Sequence, residues 1–328
     1  MKICQENKMF VFNHQIEYSW KYYVKRFLLP FFDLFYLIIL KISNRTKSDK
    51  KFNVVICTIF KDEAIYLKEW IEYHKIVGVE HFYMYNNFSS DNFKEVLNVY
   101  IEQNIVTLID WPIQQGQFSA YQHWSDNFKC ETQWVSFLDP DEFICPIFEL
   151  SIVDWVKKFR NFPCIVMYWR MFGTSGKIRN NCDMLVTEQY TICWDKLYTV
   201  GKVLYNTDYD IAIFDFAVHH ATKTKVRIYG INIIIPPINE FKYFLRWDIH
   251  RVGNHLPDDF TIQVNHYWSK SFMTYYAKTL KSDVAFIVNP KNMDYFLWHE
   301  RHNKSTDFKI FRFIIQLKDS LGLISREQ

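Results

Sequence analysis

The hydrophobic positions change period several times along the chain, and each change marks an element. Residues 53–60 (NVVICTIF) form an apolar, β-branched run of the kind that a strand buried on both faces shows. Next, Leu67, Trp70, Ile71, His74 and Val77 fall on one face of a helix that Gly78 ends. His74 lies on that apolar face, where a buried, hydrogen-bonded histidine is expected rather than a catalytic one. Residues 81–85 read as a second strand, followed by the turn NNFSSD with its capping side chains. Phe93, Val96, Leu97, Tyr100 and Ile101 then make an i, i+3, i+4, i+7 stripe, and 105–109 make a third strand. Residues 117–128 predict another helix, and 134–138 (WVSFL) another buried strand.

Strand, helix, strand, helix, strand predicts an α/β fold with a mainly parallel, doubly wound sheet and flanking helices. Such sheets bind ligands beyond the carboxyl ends of their strands, so the loops after Thr58, Tyr85 and Ile109 are expected to line one site.

Two stretches stand outside this pattern. Residues 27–42 (FLLPFFDLFYLIILKI) are the most apolar of the chain, yet too short for a comfortable span of about 20 residues, and Pro30 and Asp33 interrupt them. Lys21, Lys25 and Arg26 precede this run, and Lys41, Arg45, Lys47, Lys50 and Lys51 lie at its end or beyond. Three placements stay open: the interface of an anionic leaflet, packing on the catalytic domain, or a short true span. Residues 308–323 alternate apolar positions with Lys309, Arg312 and Lys318, as an amphipathic surface helix does. The chain thereby divides into a basic, apolar segment at 1–51, a main domain at 52–290 and an amphipathic helical tail at 291–328.

Composition narrows the classes. Of 328 residues, 49% are hydrophobic and 19% aromatic, which supplies a core and excludes long disorder. Eight glycines are too few for repeats or Gly-rich phosphate loops. The first 51 residues hold ten Lys/Arg against four Asp/Glu, so within a total of +3 the rest of the chain is net acidic. A body of that sign is not built to grip a nucleic-acid backbone, and no nucleic acid is expected as partner. The seven cysteines form no CxxC pair and no Cys/His cluster at zinc spacing, which suits a reducing cytosol. The first twenty residues show no signal-peptide pattern. A cytoplasmic location is expected, peripheral at the inner face of the membrane if 27–42 touches lipid.

The chemistry concentrates after the 134–138 run, in Asp139-Pro140-Asp141-Glu142-Phe143. Three carboxylates crowded against an apolar strand are costly unless something positive compensates them. Pro140 disfavours helix at Asp139, and an extended chain would put Asp139 and Asp141 on one side. Two oxygen ligands there suit Mg²⁺ or Mn²⁺, which would neutralise a diphosphate as it leaves an anomeric carbon. A solvated acidic turn with Asp139 as a helix cap is the alternative.

Four blocks carry a resemblance: 54–91, with VVICTIFKDEAIYLKEW at its start, WVSFLDPDEF (134–143), YWRMFGTSGK (168–177) and NHYWSKSFMTYYAK (265–278). Over residues 53–282 the chain resembles glycosyltransferase family 92 and related family-2-like enzymes. The resemblance implies a GT-A type fold, a nucleotide-sugar donor and inversion at the anomeric carbon. It places Lys61, Asp62 and Glu63 near the base and Asn86 and Asp91 near uracil or ribose, with Thr58 and Asp139 also on the donor side. Asn86 stands where the wider pattern often has a uracil-binding Asp, so uridine is inferred rather than read. The same resemblance makes His266 a third metal ligand and Lys270 a diphosphate partner; His219 or His220 compete for the ligand position.

An inverting transfer needs a general base, for which Glu142, Asp183 and Glu188 stand unranked. Trp169, Phe172 and Gly173, in WRMFGTSG, form either an acceptor wall or a core cluster followed by a turn. The Lys-, Asn-, Ile- and Phe-rich composition looks bacterial, which points to hexosyl or N-acetylhexosaminyl transfer onto a glycan or glycolipid of lipopolysaccharide or capsule. Two readings compete: a metal-dependent phosphoesterase, which would want a second His/Asp cluster, and a non-catalytic nucleotide-sugar-binding or scaffold protein.

Overall fold

The structure is a computed structural model that describes residues 9–12, 19–43, 49–209, 224–228, 230–280 and 291–324. The strands are β1 (Phe10–Val11), β2 (Phe52–Phe60), β3 (His81–Asn86), β4 (Val106–Asp110), β5 (Thr132–Phe137), β6 (Glu142–Pro146) and β7 (Cys164–Met171). They continue with β8 (Ile192–Trp194), β9 (Leu197–Asn206), β10 (Thr224–Ile228), β11 (Ile231–Ile235), β12 (Ile262–His266) and β13 (Asn303–Thr306). The helices are α1 (Trp20–Ile42), α2 (Ala64–Ile76), α3 (Phe93–Glu102), α4 (Gln117–Asn127), α5 (Ile152–Val156), α6 (Val186–Gln189), α7 (Phe272–Thr279), α8 (Met293–Glu300) and α9 (Ile314–Ser320).

A nine-stranded sheet runs β4-β3-β2-β5-β9-β7-β12-β6, with β1 paired to β9. β4, β3, β2 and β5 are mutually parallel, as the alternating pattern predicts. β9 runs against both β5 and β7, and β12 is parallel to β7. Six strands therefore point the same way, and their carboxyl ends share one edge.

The apolar run at β2 is buried on both faces because layers cover both. Val54, Ile56 and Phe60 join α2 and α3 residues Leu67, Trp70, Ile71, Leu97 and Tyr100 in one cluster. Val55, Cys57 and Ile59 join Tyr121 and Trp124 of α4 in the other. His74 is wholly buried in α2: Nδ1 donates to the Trp70 carbonyl at 2.8 Å, and Nε2 accepts from the Ile144 N–H at 3.2 Å. That pairing makes it a neutral structural histidine whose pKa burial lowers to about 3.

The C-terminal part folds into the same body. Phe296, Ile310, Phe313, Ile314 and Leu317 belong to the α2/α3-side core, and β13 pairs with β8. Residues 308–323 form a 3₁₀ turn and the short α9, with Leu317 buried and Ile315 exposed. α1 turns Leu29, Tyr36, Ile39 and Leu40 inward. Asp33 on α1 forms an ion pair with Arg251 at 2.7 Å. Among the described residues no helix is long and apolar enough to cross a membrane.

Candidate active site

Asp139 leaves the carboxyl end of β5 and enters a tight turn, closed by the Glu142 N–H donating to the Asp139 carbonyl at 3.0 Å. Pro140 takes the second turn position, where its fixed φ fits. This corrects the expectation of an extended acidic stretch: a turn splits the two aspartates between different partners.

Asp139 faces a buried cation. Lys202, from the middle of β9 and without solvent exposure, sets Nζ 2.8 Å from Asp139 Oδ2 and 3.2 Å from Glu142 Oε2. Glu142 Oε2 also accepts from the Asp139 N–H at 2.9 Å. Burial pushes the Glu142 carboxyl above its ordinary range, against the pull of Lys202. Burial opposes the charge of Lys202, yet the two acids hold its pKa above the usual lysine value. Burying Lys202 and Glu142 is tolerable because the ammonium lies between that carboxyl and the part-exposed Asp139.

Asp141 faces the other way. β6 pairs antiparallel with β12 in the register Glu142↔His266, and the Asp141 carbonyl accepts from the Tyr267 N–H at 2.8 Å. His266 Nε2 thereby lies 3.6 Å from Asp141 Oδ1, and Lys278 Nζ from α7 lies 3.5 Å from Oδ2. Lys278 also reaches Glu63 Oε1 at 2.8 Å. Lys270 lies 3.6 Å from Glu63 Oε2 and 4.2 Å from the Tyr66 ring centroid, is 1% exposed, and makes no hydrogen bond. Burial alone would raise the Asp141 pKa, but Lys278, Lys270 and His266 hold it well below the carboxylate range. Burial lowers His266 to about 3, so its imidazole is neutral at pH 7, and burial also lowers Lys270. Lys270 and Asp62 adopt left-handed backbone (φ 48° and 53°), a strained choice for side chains other than glycine.

The remaining predicted positions distribute unevenly along the shared edge. Glu63 follows β2, close to Lys270 and Lys278, while Thr58 lies inside β2 and is wholly buried. Lys61 follows the strand, half-buried. Asp62 is engaged by Ser90, whose N–H donates to its carboxylate at 2.8 Å, and Asp91 caps α2 by accepting from the Ala64 N–H at 2.8 Å. Asn86 donates to Asp110 at 2.8 Å at the ends of β3 and β4. Trp169 packs on His266 at 4.4 Å between ring centroids. Phe172 is wholly buried against Tyr267, and a Cβ at Gly173 would collide with Asn303 and Glu300, so both belong to packing rather than to an open wall. Asp183 is exposed and its N–H donates to Asn181; Glu188 forms an ion pair with Lys318 at 2.6 Å. His219 and His220 lie outside the described residues.

Sequence reasoning missed Lys202, Lys278 and Tyr66. A signal existed for Lys202: a lone lysine inside the apolar run LYTVGKVLYN implies a buried countercharge.

Among the described residues, no group of three or more His, Cys, Asp and Glu stands ready to hold a metal by protein ligands alone. Asp141 Oδ1 makes no hydrogen bond, as does His266 Nδ1, and a neutral imidazole beside an ionised carboxylate is the donor pair a divalent ion accepts. The residues thus fit an ion that shares its coordination with substrate phosphates.

A parallel α/β sheet that gathers acids, an imidazole and buried lysines at its carboxyl edge defines a site for a charged ligand. The chain matches glycosyltransferase family 92 over residues 50–317, most of its length, and it belongs to that family. A family 92 protein of Arabidopsis thaliana is 24% identical over 261 residues, 79% of this chain and 41% of that protein. One of Oryza sativa subsp. japonica is 34% identical over 96 residues, 29% of this chain and 16% of that protein. The chain therefore spans less than half the length of these curated relatives. Among solved structures, Staphylococcus aureus TarS 1–349 aligns with a TM-score of 0.31 at 11% identity, over 47% of each chain. The mannosyltransferase PcManGT of Pyrobaculum calidifontis, in complex with GDP-Man and Mn²⁺, aligns at 0.29 and 12% identity, over 45% of each.

Proposed function

We propose that this chain is a GT-A type, metal-dependent, inverting glycosyltransferase that moves a sugar from a nucleotide-sugar donor, a UDP-sugar by the family resemblance, to a glycan or glycolipid. The observation that supports this most is Lys270: a buried ammonium with no hydrogen bond, set beside the Asp141–His266 pair. Its nearby carboxylate, Glu63, lies at 3.6 Å and is shared with Lys278, which leaves the ammonium room for a closer anion. Lys270 and Lys278 would meet the donor diphosphate, while Asp141 and His266 would hold Mg²⁺ or Mn²⁺. When bound, the ion supplies Lewis-acid neutralisation of the departing nucleotide diphosphate. Asp139 is fastened to Lys202 and serves to fix the turn. Glu142, buried under that turn, acts as its support rather than as the base that deprotonates an acceptor hydroxyl. Asp183 and Glu188 remain the candidates for the base.

The setting we infer is surface-glycan synthesis, lipopolysaccharide or capsule, at the cytoplasmic side of a membrane. Its support is the composition alone, and the curated relatives are plant proteins. The division at residues 51 and 290 stays part of this proposal, as an account of function rather than of packing.

The test is calorimetric titration with UDP and then with UDP-hexoses and their N-acetyl forms, each with Mn²⁺ and with EDTA. Binding that needs both the ion and Asp141, lost in Asp141→Asn, supports the reading. Metal-independent binding unaffected by Asp141→Asn overturns its metal part, no binding of any UDP compound overturns the uridine part, and no binding of GDP- or CMP-sugars in the same titration then overturns it entirely.

A further inference from the structure

We infer that α1 is a membrane-surface anchor, seating its outward stripe in the interface of an anionic bilayer. Among the described residues, only one face of this largely apolar helix is buried against protein. Leu29, Tyr36, Ile39 and Leu40 are buried, whereas Trp20 and Phe27 are each 71% exposed, and Phe31 and Leu34 each 60%. Val24, Phe35, Ile38 and Ile42 are exposed too. Trp20, Val24, Phe27, Phe31, Leu34, Ile38 and Ile42 recur every three or four residues, which makes them a single stripe along roughly 35 Å of helix. A contiguous apolar face of that length is far from what a water-facing surface shows.

Charge selects the occupant. Lys21, Lys25 and Arg26 are exposed in the first two turns and Lys41 in the last, so cations frame the stripe. The sole acid of the helix, Asp33, is held by Arg251 at 2.7 Å. The helix therefore presents no free carboxylate of its own, as suits anionic headgroups over an apolar layer. This surface is independent of the transfer chemistry proposed above, and its test involves no sugar nucleotide.

The test is co-sedimentation of the full chain with vesicles of phosphatidylcholine alone and with added phosphatidylglycerol, alongside light scattering for the oligomeric state. Wild type is expected to pellet with the acidic vesicles and to be released by salt. Phe27→Gln/Phe31→Gln should abolish pelleting at unchanged melting temperature, since both side chains already face water. Lys21→Gln/Lys25→Gln/Arg26→Gln should weaken it on the order of a hundredfold, at about one kcal/mol per cation. Failure of wild type to prefer acidic vesicles, a comparison that needs no variant, overturns the inference. So does a wild-type dimer that Phe27→Gln/Phe31→Gln makes monomeric, which would show that the stripe faces a second copy.

Discussion

Asp139 and Asp141 are separated by one proline, and their surroundings are opposites. Around Asp139 the charges pair directly: Lys202 lies between Asp139 and Glu142, and Glu142 Oε2 takes the Asp139 N–H, with Glu142 Oε1 alone of these carboxylate oxygens buried without a hydrogen bond. Around Asp141 the charges are near one another but unsaturated. Lys270 has no hydrogen bond, Asp141 Oδ1 has none, and the nearest His266 nitrogen is 3.6 Å away. A closed network gives rigidity, whereas an open one keeps donors and acceptors for a ligand. One motif thus does two jobs, and the turn at Pro140 separates them.

The comparison breaks first at Lys202. Lys202→Met leaves the buried Glu142 and the part-exposed Asp139 without a countercharge, which costs about 3 kcal/mol. Denaturant unfolding should show that loss, and Lys202→Met/Glu142→Gln should recover part of it. If Lys202→Met is as stable as wild type, the closed network is not what holds the turn. Asp141→Asn should do the reverse. Nucleotide-sugar turnover should fall about a hundredfold to a thousandfold, several kcal/mol of lost electrostatic stabilisation, with a smaller loss of stability than Lys202→Met shows. Equal losses of stability in both variants would erase the distinction.

Lys270 sharpens the open side. Lys270→Asn keeps a side chain that tolerates left-handed backbone, so the change tests charge rather than φ. Isothermal titration should show UDP binding weakened about tenfold to a hundredfold, the worth of one charge-assisted hydrogen bond. Unchanged affinity would place the diphosphate elsewhere on the edge.

How much of this was legible follows from where each signal is stored. The run at 53–60 announces β2 because both of its faces are apolar, and the layers over Val54 and Val55 are what such a run requires. The parallel order of β2–β5 follows from the same alternation. Pro140 was legible too, but its preference for the second position of a turn counts for more here than its bar to helix. Phe172 and Gly173 resist reading, since an aromatic before a glycine looks alike in a sugar-binding wall and under Tyr267. The place of His266 is the least legible of all. It depends on β6 pairing antiparallel with β12, strands about 120 residues apart, in one particular register. Only the family resemblance pointed to that histidine, because pairing over such distances leaves no local periodicity.

The smallest effect concerns a histidine that neither network uses. His299 is 1% exposed among Trp194, Trp268, Tyr295 and Trp298, and neither ring nitrogen has a hydrogen-bond partner. Burial lowers it to about 2, as it lowers His74 to about 3 and His81 to about 4. In each case the folded pKa lies below the unfolded value near 6.5, so the unfolded chain takes up the proton first. Stability from these groups is complete above pH 6.5 and is lost as pH falls, each contributing up to about 1.4 kcal/mol per pH unit. His266 shares this sense, whereas Glu240, pushed up to about 7 by burial, and Glu69 and Glu142, which burial also raises, work in the opposite one. His299→Phe forfeits no hydrogen bond and removes one proton from the balance. Urea midpoints from pH 7 to pH 5 should therefore fall less steeply than in wild type, with equal or greater stability at pH 7. A steeper slope, or a large loss at pH 7, would mean that the imidazole has a partner, and the open side of the site would then extend as far as α8.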